Sequence, residues 1–215
     1  MTNSLGPLFD KTSLDQKIEA LKKDLLAEDG PQISTMRNYR FAILPYDPEE
    51  EFKLRVAIRH LSDDLKSSGW QVLSISLQGL LLHRLKQEDQ PLQQRIMETE
   101  RRLYTKNPDR ALTHLKDKIS PHIEGLEGVA KDVITLIDDF VENHPDEVNR
   151  TVIFIGRTGA LYPFFRSSSL LKHLDGKTRN LPVILLYPGK REGMSALSFM
   201  GEMPADRDYR PRIYS

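Results

Sequence analysis

The sequence predicts an α/β fold, with a mostly parallel, doubly wound (Rossmann-like) sheet of about four or five strands and helices on both faces. Two observations predict it. Residues 41–44, 151–155 and 181–187 are nearly continuous apolar runs, as expected for parallel strands that are buried on both sides. Between these runs, apolar residues recur at helical spacing, and alternation of strands with helices indicates crossover connections.

Composition is that of one globular domain. The chain has 215 residues, of which 39% are hydrophobic, enough for a sizeable core. We expect residues 1–37 to form a leader and an N-terminal helix. We expect residues 38–215 to form a single α/β domain, with a charged helical insertion at about residues 91–122.

Targeting and redox signals are also informative. No apolar run approaches the ~20 residues that span a bilayer, and we find no secretory signal, so we expect no membrane contact. Cysteine is absent. This excludes disulfides and cysteine-based metal sites, and it fits a reducing cytosol, so we expect a cytoplasmic protein.

Charge is unevenly distributed along the chain. Residues 151–215 hold ten Lys or Arg and five Asp or Glu, a net charge of +5. Residues 1–150 hold the other 21 Lys or Arg and the other 26 Asp or Glu, a net charge of −5. Either the two parts neutralise each other across one compact domain, or the basic part meets an acidic partner or a phosphate. The overall neutral balance disfavours direct nucleic-acid contact.

Capping residues and periodicity predict the individual elements. Ser13 caps a first helix, and Asp47 followed by Pro48 begins a second helix that Gly69 ends. Pro188 and Gly189 are expected to end the strand that begins near residue 181. The other predicted elements are a strand at 70–76, helices at 77–87, 129–143 and about 168–174, an extended segment at 195–200 and an edge strand at 210–214.

The predicted binding site is a rim of loops at the carboxyl edge of the sheet, where open α/β sheets bind ligands. Its cations and aromatic side chains suit a phosphate, a carboxylate or a protein partner. The candidate residues are Arg157, Tyr162, Phe165, Arg166, Tyr187, Lys190 and Arg191. The aromatic run at 162–165 fits two hypotheses, core beneath the loop or an exposed docking surface.

No motif identifies a catalyst or a cofactor site. The loop Gly156-Arg157-Thr158-Gly159 lacks the spacing and the lysine of a P-loop, and the dinucleotide fingerprint and the nucleophile elbow are both missing. The histidines on or near the insertion share no close ligand spacing, so we expect them to be solvated. They are His83, His114 and His122. We therefore expect no metal, no cofactor and no enzymatic activity.

Several segments, most of them in the last third of the chain, carry a resemblance to a known family. They are Gly156-Arg157-Thr158-Gly159, residues 162–167, Leu170, Leu171, Leu174, residues 182–189, 197–199 and 209–213, and Tyr46-Asp47-Pro48-Glu49. In these segments the chain resembles the BrxB family of BREX (bacteriophage exclusion) phage-defence systems of bacteria and archaea.

The resemblance implies a non-enzymatic adaptor in a multi-protein defence complex. The partners that it implies are an alkaline-phosphatase-like protein of the PglZ type and, beyond it, a PglX-type adenine methyltransferase and other BREX subunits such as the large ATPase. Either the rim or the N-terminal helix would dock a partner. The residues themselves leave an alternative open, which is a small-molecule or nucleotide-binding sensor that uses the same rim.

Overall fold

The computed structural model describes residues 13–33, 40–192, 196–203 and 211–214. The strands are β1 (Phe41–Tyr46), β2 (Gln71–Ser76), β3 (Thr151–Gly156), β4 (Val183–Glu192), β5 (Ala196–Phe199) and β6 (Arg212–Ile213). The helices are α1 (Ser13–Leu25), α2 (Glu51–Ser67), α3 (Leu77–Gln87), α4 (Gln90–Lys106), α5 (Pro108–Ile123), α6 (Val129–Asn143) and α7 (Ser167–Leu174). The predicted leader at residues 1–10 lies outside the described residues.

The sheet confirms the predicted fold class. Five strands lie in the order β2-β3-β4-β1-β6, and each neighbouring pair is parallel. The short strand β5 pairs with β4 in the antiparallel direction and lies off this path. Central strands β1, β3 and β4 are the apolar runs of the sequence, because each of them is covered on both faces.

Strand β1 shows how one apolar run serves two cores. All six of its residues are buried. Phe41 and Ile43 point into one core, whereas Ala42 and Leu44 point into the other. Since side chains alternate along a strand, only a sequence that is apolar at every position can fill both layers.

The two cores make a three-layer arrangement. Helices α1 and α2 cover one face of the sheet, and α3, α5, α6 and α7 cover the other. Helix α2 buries one stripe of side chains, which consists of Leu54, Ile58, Leu61 and Leu65. The N-terminal helix uses Leu14, Leu21 and Leu25 for the same core, so its apolar face is occupied within this chain.

The prediction that Pro188 and Gly189 end a strand is wrong. Strand β4 continues through them to Glu192, and its extension forms a hairpin with β5 in which Gly189 pairs with Phe199. A Cβ atom on Gly189 would lie 2.0 Å from the Ser198 carbonyl oxygen. Glycine is therefore required here by the close approach of the two backbones, rather than as the end of the strand.

Helices α4 and α5 form a helical hairpin, in the region where a charged insertion was predicted. Helix α4 has 17 residues and buries none of them, while α5 buries Ala111 and Ile123. His114 Nδ1 lies 2.7 Å from Glu100 Oε1 and joins the two helices, and His122 lies 3.5 Å from Glu88. Both imidazoles are partly buried and paired, so the expectation of solvated histidines is wrong for these two.

The edge of the sheet is completed late in the chain. Strand β6 pairs with β1, and the Tyr214 amide donates to the Ile43 carbonyl at 3.0 Å. The buried Tyr214 hydroxyl donates to Asp24 at 2.9 Å, and Arg212 lies 2.7 Å from the same carboxylate. Residues from the two ends of the described chain thereby fasten α1 to the sheet. Among the described residues, no helix is long and apolar enough to cross a membrane.

Candidate functional site at the carboxyl edge of the sheet

The parallel register brings the ends of several strands to one edge. Tyr46 at the end of β1 is paired with Pro188, and Ser76 at the end of β2 is paired with Gly156 at the end of β3. The segments that follow β1, β3 and the parallel part of β4 therefore lie side by side. These segments, which we call the rim, are residues 46–51, 156–166 and 187–191.

The rim lies at a topological switch point. From β1 the chain continues into α2 on one face of the sheet, whereas from β3 it continues into α7 on the opposite face. Strands β1 and β4 are neighbours, and β4 also continues toward the α7 face through β5. The segments that follow β1 and β4 therefore lead to opposite faces of the sheet. Open α/β sheets form their ligand crevices between two such strands. Two pockets, of about 350 and 200 Å³, open there.

The larger pocket lies between the start of α1 and the β4–β5 hairpin. The charged residues that line it are Lys17, Asp47, Glu50, Lys190 and Arg191. The Lys17 ammonium donates to the Pro45 carbonyl at 3.1 Å. Partial burial lowers the pKa of Lys17, and the negative charge of Glu50 opposes that effect. The pocket thus holds cations and acids together.

One ion pair spans the crevice between β1 and β4. Lys190 Nζ lies 3.0 Å from Asp47 Oδ2. The hydrogen bond and the charge of Asp47 raise the pKa of Lys190. In return, the hydrogen bond from Lys190 and the one from the Glu49 amide hold the pKa of Asp47 below its usual range. Asp47 also caps the turn at Pro48, as predicted, so it fixes both the helix start and the hairpin.

A polar network holds Arg157 at the mouth of the smaller pocket. Its Nε and Nη2 donate to Gln78 Oε1 at 3.0 and 2.5 Å, and its Nη1 lies 3.6 Å from Glu51 Oε1. The Tyr46 hydroxyl donates to the other Glu51 oxygen. Burial, followed by this hydrogen bond, raises the pKa of Tyr46, so the phenol remains a donor.

The backbone of Arg157 is also unusual. Its φ of 60° is in the left-handed region. That conformation costs a non-glycine residue roughly 1–2 kcal/mol. The bonds to Gln78 and Glu51 offset this cost and fix the direction in which the guanidinium points. Strained positions of this kind often occur at functional sites.

The aromatic run at 162–165 has one ring in the core and one ring at the surface, so each of the two hypotheses holds for part of it. Phe165 is 1% exposed and lies in the core, whereas Tyr162 is 38% exposed at the rim. Both rings pack around Phe199, with centroid distances of 5.8 and 6.4 Å. Tyr187 is also buried against Phe199, and its hydroxyl donates to the Leu197 carbonyl at 3.2 Å. Of these aromatics, Tyr162 is available to a partner.

Arg166 is exposed but lies apart from the crevice. It lines a separate, very small pocket beside Glu124 and His173, near the end of α5. The other predicted cations, Arg157, Lys190 and Arg191, line the two pockets of the crevice. The predicted rim residues are therefore distributed over neighbouring surfaces rather than gathered in one pocket.

Several residues beside the rim were missed by the sequence analysis. Phe52, in the first turn of α2, is 76% exposed, and the Arg55 guanidinium lies 5.6 Å from the centre of its ring. Phe52 falls outside the buried stripe of α2, and this displacement was the signal that could have found it. Gln78 and Lys17 carried no such signal, since their contacts join distant parts of the chain.

No group of three or more His, Cys, Asp or Glu side chains suited to a metal ion occurs within the described ranges. Taken together, the fold and the rim define a three-layer α/β domain with a polar crevice at its switch point, edged by exposed aromatic side chains. Domains of this class bind small ligands or other proteins at such a crevice.

Comparison with known proteins identifies the family. The family model described as BREX protein BrxB matches residues 73–213, which is more than half of the chain. A protein of Bacillus cereus (strain H3081.97), named BREX protein BrxB, is 26% identical over 171 residues, covering 79% of this chain and 80% of that protein. No solved structure is significantly similar. The chain belongs to the BrxB family of BREX phage-defence systems.

Proposed function

We propose that this chain is a non-enzymatic adaptor of a cytoplasmic BREX assembly. In this proposal it binds the alkaline-phosphatase-like PglZ-type protein and links it to the PglX-type methyltransferase and other BREX subunits. Membership of the BrxB family supports a role in phage defence. The adaptor role rests on the chemistry of the rim.

The observation that carries the adaptor proposal is the pair of exposed aromatic side chains at the rim. Phe52 directly follows Glu51 and Tyr162 lies two residues after Ala160; Glu51 and Ala160 line the smaller pocket, as does Arg157, which its contacts hold in one orientation. Aromatic and arginine side chains are enriched among the residues that dominate binding energy at protein interfaces. A fixed arginine also loses little conformational freedom when a partner binds.

Co-purification tests the proposal directly. The chain would be mixed with the PglZ-type protein of the same BREX system and separated by size-exclusion chromatography with in-line light scattering. We expect a stoichiometric complex at micromolar concentration. Two separate peaks at that concentration would contradict the proposal.

A matched pair of variants locates the contact. We expect the double variant Phe52→Ala, Tyr162→Ala to weaken binding by at least 2 kcal/mol, about thirtyfold, if both rings are central to the interface. The control is Leu82→Ala, Leu136→Ala, which removes two exposed apolar side chains from α3 and α6. Equal affinities of the two double variants would show that the partner docks elsewhere.

The larger pocket supports a second candidate function, a sensor of a small anion. Its volume of about 350 Å³ and its cations Lys17, Lys190 and Arg191 suit a phosphate or carboxylate compound. A ligand at a hundredfold excess over its Kd would stabilise the fold by about 2.7 kcal/mol. A thermal-shift screen with ATP, AMP and inorganic phosphate measures this, and an unchanged Tm with all three would exclude these ligands.

A further inference from the structure

Helix α2 has an outward side that stays exposed in the described part of the chain. The stripe that it buries faces the sheet and the core beneath α1. On the outward side, Phe52 is 76% exposed and Val56 is 51% exposed. Helix α1 packs against another flank of α2, where Lys22 pairs with Asp64, about 120° around the helix axis from Phe52. Neither the core nor α1 therefore covers the two apolar side chains.

Two arginines share this outward side with the apolar pair. Successive residues of an α-helix are about 100° apart, so Arg55, Val56 and Arg59 all lie within about 60° of Phe52 around the axis. The set extends over about 10 Å of helix, or two turns. The residues of this surface, which we call the α2 face, are Phe52, Arg55, Val56 and Arg59.

The arginines of the α2 face have no acidic partner within the described residues. Both are exposed, and no described carboxylate forms an ion pair with either of them. The Arg55 guanidinium lies 5.6 Å from the centre of the Phe52 ring, and this cation–π contact places positive charge directly beside the aromatic surface. The α2 face therefore combines unpaired cations and exposed apolar groups at one place.

This combination suits one kind of occupant. Guanidinium groups bind carboxylates with paired hydrogen bonds, and Phe52 and Val56 offer an apolar side chain a place to pack. Exposed acids lie at both ends of the α2 face: Glu49 precedes it, and Asp63 follows Arg59 by one turn on the same side. A nucleic-acid backbone that continued beyond the face would meet these carboxylates, so a short acidic segment of a protein fits better.

We propose that the α2 face binds an acidic segment of the adaptor's protein partner, and that an apolar side chain of this segment packs on Phe52 and Val56. The inference rests on the proposed function and deepens it, because it specifies the chemistry of the partner's contact. Phe52 joins the α2 face to the rim, since it directly follows Glu51, which lines the smaller pocket. The contact would therefore extend from the rim along two turns of α2.

Charge reversal tests the α2 face. Binding of the full-length chain to the PglZ-type protein would be titrated at about 0.1 and 0.5 M NaCl. We expect Arg55→Glu, Arg59→Glu to weaken the complex about tenfold or more at the lower salt, and higher salt should weaken the wild-type complex. Val56→Ala should weaken it about fivefold through lost apolar contact, while alanine preserves the helix.

The control makes the same change in charge on another helix. Arg95 and Arg102 are exposed on α4, which packs on α5 at the opposite face of the sheet. Their reversal to Glu should leave the affinity within about twofold of the wild-type value. Circular dichroism and thermal unfolding would establish that each variant is folded. If Arg55→Glu, Arg59→Glu does not fold, Arg55→Gln, Arg59→Gln replaces it, with an expected loss of about threefold or more.

The outcomes separate this inference from the proposed function. If the PglZ-type protein does not bind the wild type, the proposed function fails, and the inference fails with it. If it binds, and reversal of the α2 face has no more effect than the control reversal, only the inference is overturned. A DNA single strand of about 20 nucleotides that binds the wild type and loses affinity on this reversal, while the protein complex is unaffected, would assign the α2 face to nucleic acid and also overturn the inference.

Discussion

The rim and the α4–α5 hairpin both expose aromatic and basic side chains, but they hold them in different ways. At the rim, Tyr162 packs on the buried Phe199, and Arg157 is bound by the half-buried Gln78 and Glu51. On α4, the exposed groups stand on a helix that packs on α5 and contributes no buried residue to either core. The rim is therefore a preorganised surface, whereas the face of α4 depends on one helix–helix contact.

This difference separates two ways of presenting exposed side chains to solvent. A rim built on the core loses little entropy on binding, but changes in it disturb the fold. A helical hairpin outside the core tolerates changes of sequence, because its residues contribute little to global stability. Four measurements can sharpen or break this comparison.

The largest expected effect is on the core beneath the rim. Phe165→Ala should lower the free energy of unfolding by about 3–5 kcal/mol, because it leaves a cavity among buried rings. Tyr104→Ala on α4 should change it by no more than about 0.5 kcal/mol. Urea unfolding of both variants measures the two values. Similar losses would mean that α4 is part of the cooperative core.

The next effect concerns the polar network. Arg157→Ala removes the bonds to Gln78 and Glu51 and should destabilise the fold by about 1–2 kcal/mol. Arg102→Ala on α4 is the control, and we expect its free energy of unfolding to lie within about 0.5 kcal/mol of the wild-type value. Chemical denaturation again gives the values. A neutral Arg157→Ala would show that the contacts with Gln78 and Glu51 do not contribute to the stability of the fold.

A smaller effect is expected in local opening. Native-state hydrogen exchange should show α4 amides opening at a lower free energy than those of β1, β3 and β4. His114→Ala removes the contact with Glu100 and should speed exchange in α4 roughly two- to tenfold, with no change in the central strands. Equal acceleration in helix and sheet would place the hairpin within the global unfolding unit.

The smallest effect is electrostatic and depends on pH. Asp47→Asn keeps a side-chain acceptor for the helix cap and removes the charge that pairs with Lys190. Since the pKa of Asp47 is lowered in the folded state, its charge stabilises above the ordinary value of 3.8, and this contribution is lost as the pH falls through the lowered pKa. The Tm difference between wild type and variant should therefore be small at pH 7 and vanish in acid. A Tm difference that persists in acid would show that the substitution acts through the helix cap rather than through the ion pair with Lys190.

Much of the fold could be predicted from local sequence. Helices α3 and α6 begin and end where periodicity placed them, and β1, β3 and β4 follow from their apolar runs. These elements share strong, short-range signals. The extension of β4 was missed because Pro188 and Gly189 usually end strands, and only the approach of β5 explains why this one continues.

The site was harder to predict, because its contacts are long-range. Arg157 and Gln78 are 79 residues apart in sequence, and no periodicity links them. The run at 162–165 could be recognised as aromatic, but which ring faces the core depends on Phe199, a residue of β5. The four cations of α4 were visible in the sequence as part of a charged excursion, yet only the hairpin geometry shows that all four are exposed.

The late arrival of strand β6 has a consequence for synthesis of the protein. Tyr214 and its partner Asp24 are separated by 190 residues, and β1 is among the first described elements to leave the ribosome. Until residues 211–214 follow, one edge of β1 has no strand beside it, and a bare edge of apolar residues invites association with other chains. A product that stopped at residue 210 would keep that edge open and leave α1 without its fastening. The closing contact thus distinguishes a chain that contains β6 from one that lacks it, and we expect truncation before residue 211 to yield aggregates rather than a folded but weakened protein.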